Sequence, residues 1–274
     1  MSFDPEAFDA FEAEAWAGKE VVEYDALGSR VTARLAEHLL DAVEASPDTS
    51  LLDVATGPGY VAAGAVARGA QVVGLDLSEA MLEFARARVP GADFVRGDAT
   101  SLPFEDSSFT AVTAAFVLLH LGRPELAVAE AARVLSPGGR VAFTVWDEPT
   151  RGRWLGLLLD AVADVGAAPP ADIPPGPPIF RFADDVEFSR LLSNAGLEDA
   201  SVETIDFSLQ IRSADELWDG LVGGTVRVRP LVVAQSDETQ QAIRARFEEL
   251  LEECRDGDGF DVPVAVKLGS GRKP

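Results

Sequence analysis

Three carboxylates and one glycine turn are spaced along the first hundred residues as a nucleoside-bearing ligand would need them. Asp53 stands just ahead of Gly57-Pro58-Gly59, Asp76 closes an apolar run, and Asp98 follows Gly97 after another. A glycine turn lets backbone approach a ligand because no Cβ intrudes. A carboxylate placed like Asp76 can accept two hydrogen bonds from ribose hydroxyls, and one placed like Asp98 can accept from an adenine amino group. Together they describe an adenosine site. His120, four residues past Phe116, is the best-placed general base; it is also placed to pack as a cap on Leu118, Leu119 and Leu121.

These residues need elements to carry them, and the pattern supplies strands alternating with helices. Ser50–Ala55, Gln71–Leu75, Asp93–Val95, Phe109–Phe116 and Arg140–Trp146 read as apolar strands. Between them, Tyr60–Arg68, a helix starting after Ser78 and running to about Val89, and Pro124–Leu135 read as helices. Such alternation predicts βαβ units and a parallel sheet buried on both faces. In an open sheet of this kind, ligands bind beyond the carboxyl ends of the strands, where strand order reverses. The three acids and the glycine turn all fall on that edge.

The remainder of the chain is less regular. Residues 1–28 read as an acidic, aromatic helical arm and 29–45 as an amphipathic helix with Val31, Leu35, Leu39 and Val43 on one stripe. After Pro149, a helix is expected around Arg153–Val165, then a proline-rich loop over 169–178 and a helix over Phe188–Ala195 capped by Gly196. Strands follow near 201–211 and 262–269, with helices over Ala214–Val222 and Glu238–Cys254 between them. The division expected is an N-terminal arm (1–45), an α/β core (46–148), and a completion of the sheet with an inserted helical cap (149–274).

Gly57-Pro58-Gly59-Tyr60-Val61-Ala62 also matches a dinucleotide fingerprint, with Asp76 near the required distance. Three features weigh against a diphosphate. Pro58 has no N–H to donate. Asp53 sits at the loop entrance, where it repels phosphate but suits an ammonium group. The stretch from Asp53 to Asp76 holds two acids and one base, Arg68. S-adenosylmethionine has no phosphate and carries a sulfonium and an ammonium, so these features suit it.

Leu52-Asp53-Val54-Ala55-Thr56-Gly57-Pro58-Gly59 resembles the first motif of class I S-adenosylmethionine-dependent methyltransferases. Val73–Ser78 with Met81-Leu82 resembles the second, and Gly97-Asp98-Ala99 with Leu102-Pro103-Phe104 and Ser108-Phe109 the third. Arg133–Gly139 is similar to the turn before strand 5. The run covers roughly residues 45–147 and resembles the methyltransferase type 11 branch, which includes ubiquinone- and menaquinone-pathway C-methyltransferases. It departs at Ala55, where many members have glycine, and at Thr110, where an Asp is common.

The resemblance implies an open, doubly wound, seven-stranded, mostly parallel sheet (a Rossmann-like methyltransferase fold) with a helical cap. It implies that Asp76 holds the ribose, Gly57 and Gly59 approach the cofactor through backbone, and Asp53 orients the loop or the ammonium. Ala55 belongs to the same loop. Asp98 and Ala99 would meet adenine, Leu77 and Met81 would flank it, and Phe116 would lie near the methionine moiety. The expected reaction is in-line transfer of the methyl group to a small molecule by C-, O- or N-methylation, releasing S-adenosylhomocysteine. Tyr24, Trp154, Trp218 and Arg227 are candidates for the acceptor side; Arg227 and Arg229 could pair an anionic group or serve in surface salt bridges. An NAD(P)-dependent oxidoreductase and a non-catalytic S-adenosylmethionine-binding protein are the alternatives.

Composition narrows the partners. A formal net charge of -23 disfavours nucleic acid and anionic membrane surfaces. Cys254 is the only cysteine, so neither an intrachain disulfide nor a cysteine metal cluster is expected. Asp256-Gly257-Asp258 does not continue as a calcium loop, since Lys267 stands where a Glu is needed. No metal site is expected. A cytoplasmic protein is expected from the absence of a basic, apolar leader and of a membrane-length apolar run.

Overall fold

The computed structural model describes residues 3–17, 22, 24–170 and 173–274. Part of the expected arm (18–21 and 23, with Lys19) and two residues of the proline-rich loop (171 and 172) lie outside the described residues. Five parallel strands form the centre: β1 (Ser50–Val54), β2 (Gln71–Asp76), β3 (Asp93–Arg96), β4 (Phe109–Ala115) and β5 (Leu135–Trp146). Later come β6 (Glu198–Ile211), β7 (Arg255–Asp256) and β8 (Gly259–Arg272). The strand order is β3-β2-β1-β4-β5-β8-β6, with β8 antiparallel to both neighbours. This is the open, mostly parallel sheet expected. The two-residue β7, folded back on the start of β8, adds an eighth strand to the seven.

The chain runs outward from β1 to β2 and β3, then returns across β1 to begin β4. That reversal creates the crevice at the carboxyl ends of β1 and β4 where a ligand can enter. Near-continuous burial of β1 and β4 follows from helices covering both faces. One face is covered by α2 (Ser29–Ala42), α3 (Tyr60–Ala67), α6 (Arg153–Val165) and α10 (Asp237–Leu251). The other is covered by α5 (Pro124–Val134) and α7 (Asp185–Asn194). Leu35, Leu39 and Leu40 of α2 are fully buried, and such a side chain is worth about 1.5–3 kcal/mol over exposure. The helix α4 (Glu79–Arg88) starts where the Ser78 hydroxyl accepts the Met81 N–H, with Arg86 and Arg88 in its last turn.

Several elements begin or end elsewhere than the sequence suggests, and three show why. β5 begins at Leu135 and carries the Pro137-Gly138-Gly139 turn within it, breaking register against β4 between Phe109 and Ala111. α7 starts three residues before Phe188 because the Asp184 carboxylate caps it, accepting the Glu187 N–H. α10 stops at Leu251, and Glu252–Cys254 tightens into a 3-10 turn. The cap is built from α1 (Pro5–Ala15), a π-helical turn Tyr24–Gly28, α8 (Ala214–Gly224) and α9 (Arg229–Val233). No described helix is long and apolar enough to cross a membrane.

Candidate active site

The crevice widens into a cavity of about 440 Å³. Ala55 and Gly57 line it from the turn after β1, Asp76 and Leu77 from the end of β2, Asp98 and Ala99 from beyond β3, and Phe116 from the end of β4. Met81 of α4 completes this side. Eight of the ten residues expected around a cofactor thus share one cavity; Asp53 and Gly59 do not line it.

Asp53 sits beneath the turn, 1% exposed, with one carboxylate oxygen accepting the Thr56 hydroxyl at 2.6 Å and the other the Thr113 hydroxyl at 2.9 Å. The side chain braces the loop from inside the sheet, which is the first of the two roles expected of it. Burial outweighs those hydrogen bonds and pushes the carboxyl up to about 6. Gly59 heads α3 with φ of 84°, and a Cβ there would lie 3.2 Å from the Ala85 methyl. Its smallness serves the packing of α3 against α4, not ligand approach.

The turn itself is held by Asp76. Oδ2 accepts the Gly57 N–H at 2.8 Å, and Oδ1 accepts the Ser78 N–H at 2.9 Å. Each oxygen keeps a further lone pair for a ligand. Burial raises the Asp76 pKa, opposed by those backbone donors. Ala55 has φ of 53°, a left-handed conformation that costs an alanine roughly 1 kcal/mol. Phe116 is also left-handed (φ 56°), its N–H bonded to the Thr144 carbonyl and its ring stacked on Trp146 at 4.3 Å. Asp98 is exposed, and Oδ1 is occupied by the N–H and hydroxyl of Thr100. The other departure, Thr110, ties the start of β1: its hydroxyl oxygen accepts the Ser50 N–H at 3.0 Å.

The opposite wall is aromatic and apolar. Tyr24, Trp16 and Trp154 line it, with Trp16 edge-on to both Tyr24 and His120. The Tyr24 hydroxyl pairs with Thr32 at 2.9 Å. Arg227 lines the cavity too, its guanidinium donating to the Leu119 and Pro177 carbonyls and lying over the Phe8 ring. Burial holds its pKa below the usual arginine range. Trp218 is a correction: it stands outside the cavity, edge-on to Phe247 and under Arg244. Gly257-Asp258 forms the turn between β7, which ends at Asp256, and β8, with Gly257 at φ of 57°.

Two charged lining residues went unsuspected in the sequence, Asp9 and Glu12 of α1. Asp9 accepts the Gly122 N–H at 2.6 Å, and Glu12 accepts or shares a proton with His120 Nδ1 at 2.9 Å. Glu12 is 3% exposed and lies one helical turn after Phe8, 1% exposed, so both face inward. A charged residue in register with a buried aromatic was the available signal.

The charged lining consists of Asp9, Glu12, Asp76 and Asp98 against Arg227, with His120 beside them. This balance fits the cationic sulfonium and ammonium of S-adenosylmethionine and opposes a diphosphate. Leu77, Met81 and Ala99 line the same cavity as the Asp76 carboxylate, whose oxygens keep lone pairs to spare.

Comparison with known proteins agrees. Residues 52–143 match a model described as a methyltransferase domain. The chain is 34% identical over 201 residues to a demethylmenaquinone methyltransferase of Renibacterium salmoninarum, covering 70% of this chain and 85% of that protein. Among solved structures, the YcgJ protein of Bacillus subtilis superposes with a TM-score of 0.56 at 19% identity, covering 88% of this chain and 98% of that one. A Haemonchus contortus phosphoethanolamine N-methyltransferase, solved with S-adenosylhomocysteine, gives a TM-score of 0.52 at 19% identity over 88% of this chain and 52% of that one. These two likenesses speak for the fold. The chain belongs to the class I S-adenosylmethionine-dependent methyltransferases, and methyl transfer from that cofactor is its chemistry.

Proposed function

We infer that this enzyme methylates a small, largely apolar molecule held between the strand edge and the aromatic wall. The observation that carries the reading is a single cavity joining the ends of four strands to an aromatic cap. Asp76 would bind the ribose hydroxyls while its backbone donors keep it aimed. Gly57 and Ala55 would let the methionine portion pass close to the main chain. Leu77 and Met81 would sandwich adenine, with Ala99 N–H and Asp98 at its polar edge. Phe116, locked by its strained backbone and by Trp146, would set the inner limit of the methionine portion. In this reading the arm (1–45) and residues 149–274 choose the acceptor, and residues 46–148 hold the cofactor.

Bound S-adenosylmethionine supplies an electrophilic methyl group on sulfur. The protein's part is then alignment and exclusion of water. Fixed orientation of two reactants offers on the order of 7–11 kcal/mol of the barrier. Trp154, Tyr24 and Trp16 shape the acceptor space, and Arg227, charge-compensated near Glu12, adds a buried cation to it. The named relative acts on a demethylated menaquinone, and a reduced quinone is one acceptor of the right apolar character. The acid-rich surface argues against a nucleic-acid acceptor.

Calorimetric titration with S-adenosylhomocysteine, with NADH and NADPH as controls, tests the cofactor assignment. Micromolar binding of the first alone is expected. Binding of a nicotinamide cofactor alone would make the Gly57–Ala62 turn a pyrophosphate site and overturn the reading. A non-catalytic role predicts binding without release of S-adenosylhomocysteine across a broad acceptor panel.

A further inference from the structure

We propose that Glu12, carried in by the N-terminal helix, is a positioning residue that makes His120 a general base, and that the acceptor's nucleophile therefore bears a removable proton. The proposal rests on the cavity being the methyl-transfer site. His120 Nδ1 lies 2.9 Å from Glu12 Oε2. A carboxylate only accepts, so the neutral imidazole must carry its proton on Nδ1 to make this bond. Nε2 is then left with a bare lone pair, and it has no hydrogen-bond partner among the described residues. His120 lines the cavity, as does Phe116 four residues earlier. The imidazole is braced edge-on by Trp16 at 5.3 Å, which restricts its ring to this orientation.

Glu12 itself is built for the task. Its side chain is 4% exposed, and Arg227 Nε stands 3.9 Å from the second oxygen, Oε1. Oε1 is buried without any hydrogen bond among the described residues. An unpaired buried carboxylate oxygen is costly to retain for packing alone. It lines the space an acceptor would occupy, where a donor on that molecule would satisfy it. One acid and two bases, Glu12, His120 and Arg227, thus converge from three distant stretches of chain: α1, the 3-10 turn Leu118–His120 after β4, and the segment before α9.

The step balances as follows. An O–H of the acceptor, phenolic or enolic, gives its proton to His120 Nε2. The electron pair left behind forms the new bond to the methyl carbon, on oxygen or on the conjugated carbon. The pair of the broken carbon–sulfur bond stays on sulfur and cancels its positive charge. The imidazolium is stabilised by Glu12 until its proton returns to solvent. With carbon as nucleophile, the keto form that results gives up its ring C–H proton while the oxygen regains one, so one proton is released overall. Acceptors that need no deprotonation, such as thioethers and tertiary amines, gain nothing from this arrangement.

The test uses full-length protein labelled with ¹⁵N-histidine. The chain has two histidines, and His38, exposed on α2, serves as the reference. Long-range ¹⁵N–¹H correlation of the neutral rings should show His120 protonated on Nδ1 in the wild type. Glu12→Ala should move that proton toward Nε2 and leave His38 unchanged. Glu12→Gln, nearly isosteric, should keep the arm folded while removing the charge. Turnover of 1-naphthol and 1,4-naphthohydroquinone, read as S-adenosylhomocysteine release, should fall roughly a hundredfold in Glu12→Ala and in His120→Gln. The double variant should fall no further, since the two residues act as one unit. A wild-type His120 protonated on Nε2, or Glu12 variants that turn over like the wild type, would overturn the proposal. The tautomer decides even where neither probe is methylated. Wild-type protein that fails to bind S-adenosylhomocysteine counts against the cavity assignment instead.

Discussion

The two walls of the cavity are made by different means. On the strand-edge side, positioning comes from backbone: Asp76 is held by the Gly57 and Ser78 N–H groups, and Thr56 N–H is held by the Leu75 carbonyl. Those donors are fixed by strand register, so this wall is set by residues close in sequence to the strands they end. On the arm side, positioning comes from side chains that meet across long sequence separations. Glu12 reaches His120, Arg227 reaches the Leu119 carbonyl, and the Ser78 hydroxyl reaches the Trp16 carbonyl. A backbone-built wall suits a ligand shared by a whole family, whereas a wall assembled from side chains can change with the acceptor.

Substitutions can break or sharpen that contrast. The largest effect is expected from Asp76→Ala, which removes two charge-assisted hydrogen bonds to ribose at about 1.5–3 kcal/mol each and also frees the Gly57 turn. Affinity for S-adenosylhomocysteine should drop at least a hundredfold by calorimetry. A loss under threefold would mean that the strand edge does not carry the cofactor.

Next is Asp53→Asn, a test of the support beneath that wall. In the folded protein the Asp53 carboxyl titrates near 6, above the ordinary Asp value of 3.8. The folded state therefore binds the proton more tightly than the unfolded chain. This contribution to stability is fully present below pH 3.8 and is lost as pH rises through 6. Wild-type stability relative to Asp53→Asn should accordingly fall by about 2 kcal/mol between pH 4 and pH 7, measured by urea unfolding. A difference independent of pH would show that Asp53 is ionised throughout.

Trp218→Ala separates the cavity wall from the packing behind it. The indole rests on Phe247 away from the cavity, so about 2 kcal/mol of stability should be lost. Cofactor affinity and acceptor KM should stay unchanged; a shifted acceptor KM would bring Trp218 back into the site. The smallest effect belongs to Arg86→Ala, which breaks a pair with Glu79 whose side chains are 44% and 50% exposed. At most ~1 kcal/mol is expected by thermal melting, and none of it in binding.

The sequence itself was enough for the α/β alternation, the open sheet and the residues that end its strands. Apolar runs and glycine turns are local signals, and register follows from them. Ala55 and Phe116 were nameable as cavity residues, but not their left-handed backbones, which depend on how β2 and β5 hold the chain. The loop motif points to Asp53 and Gly59, but not to the partners that fix them, Thr113 and Ala85, which lie 60 and 26 positions away. Trp218 was indistinguishable in sequence from Trp154, since both sit on amphipathic helices. Packing alone turns one toward the cavity and the other toward Phe247.

What the sequence determined by itself was thus the strand edge and the chemistry of its acids. Hydrogen bonds between adjacent strands obey a short-range code. What only the tertiary structure decided was the facing wall: that Glu12 of an acidic N-terminal helix docks over His120, 108 residues on, with Arg227 behind it. No local pattern encodes such a meeting. It follows from burying Phe8 and packing Trp16 edge-on against Tyr24, and the polar groups on the same faces are carried in with them.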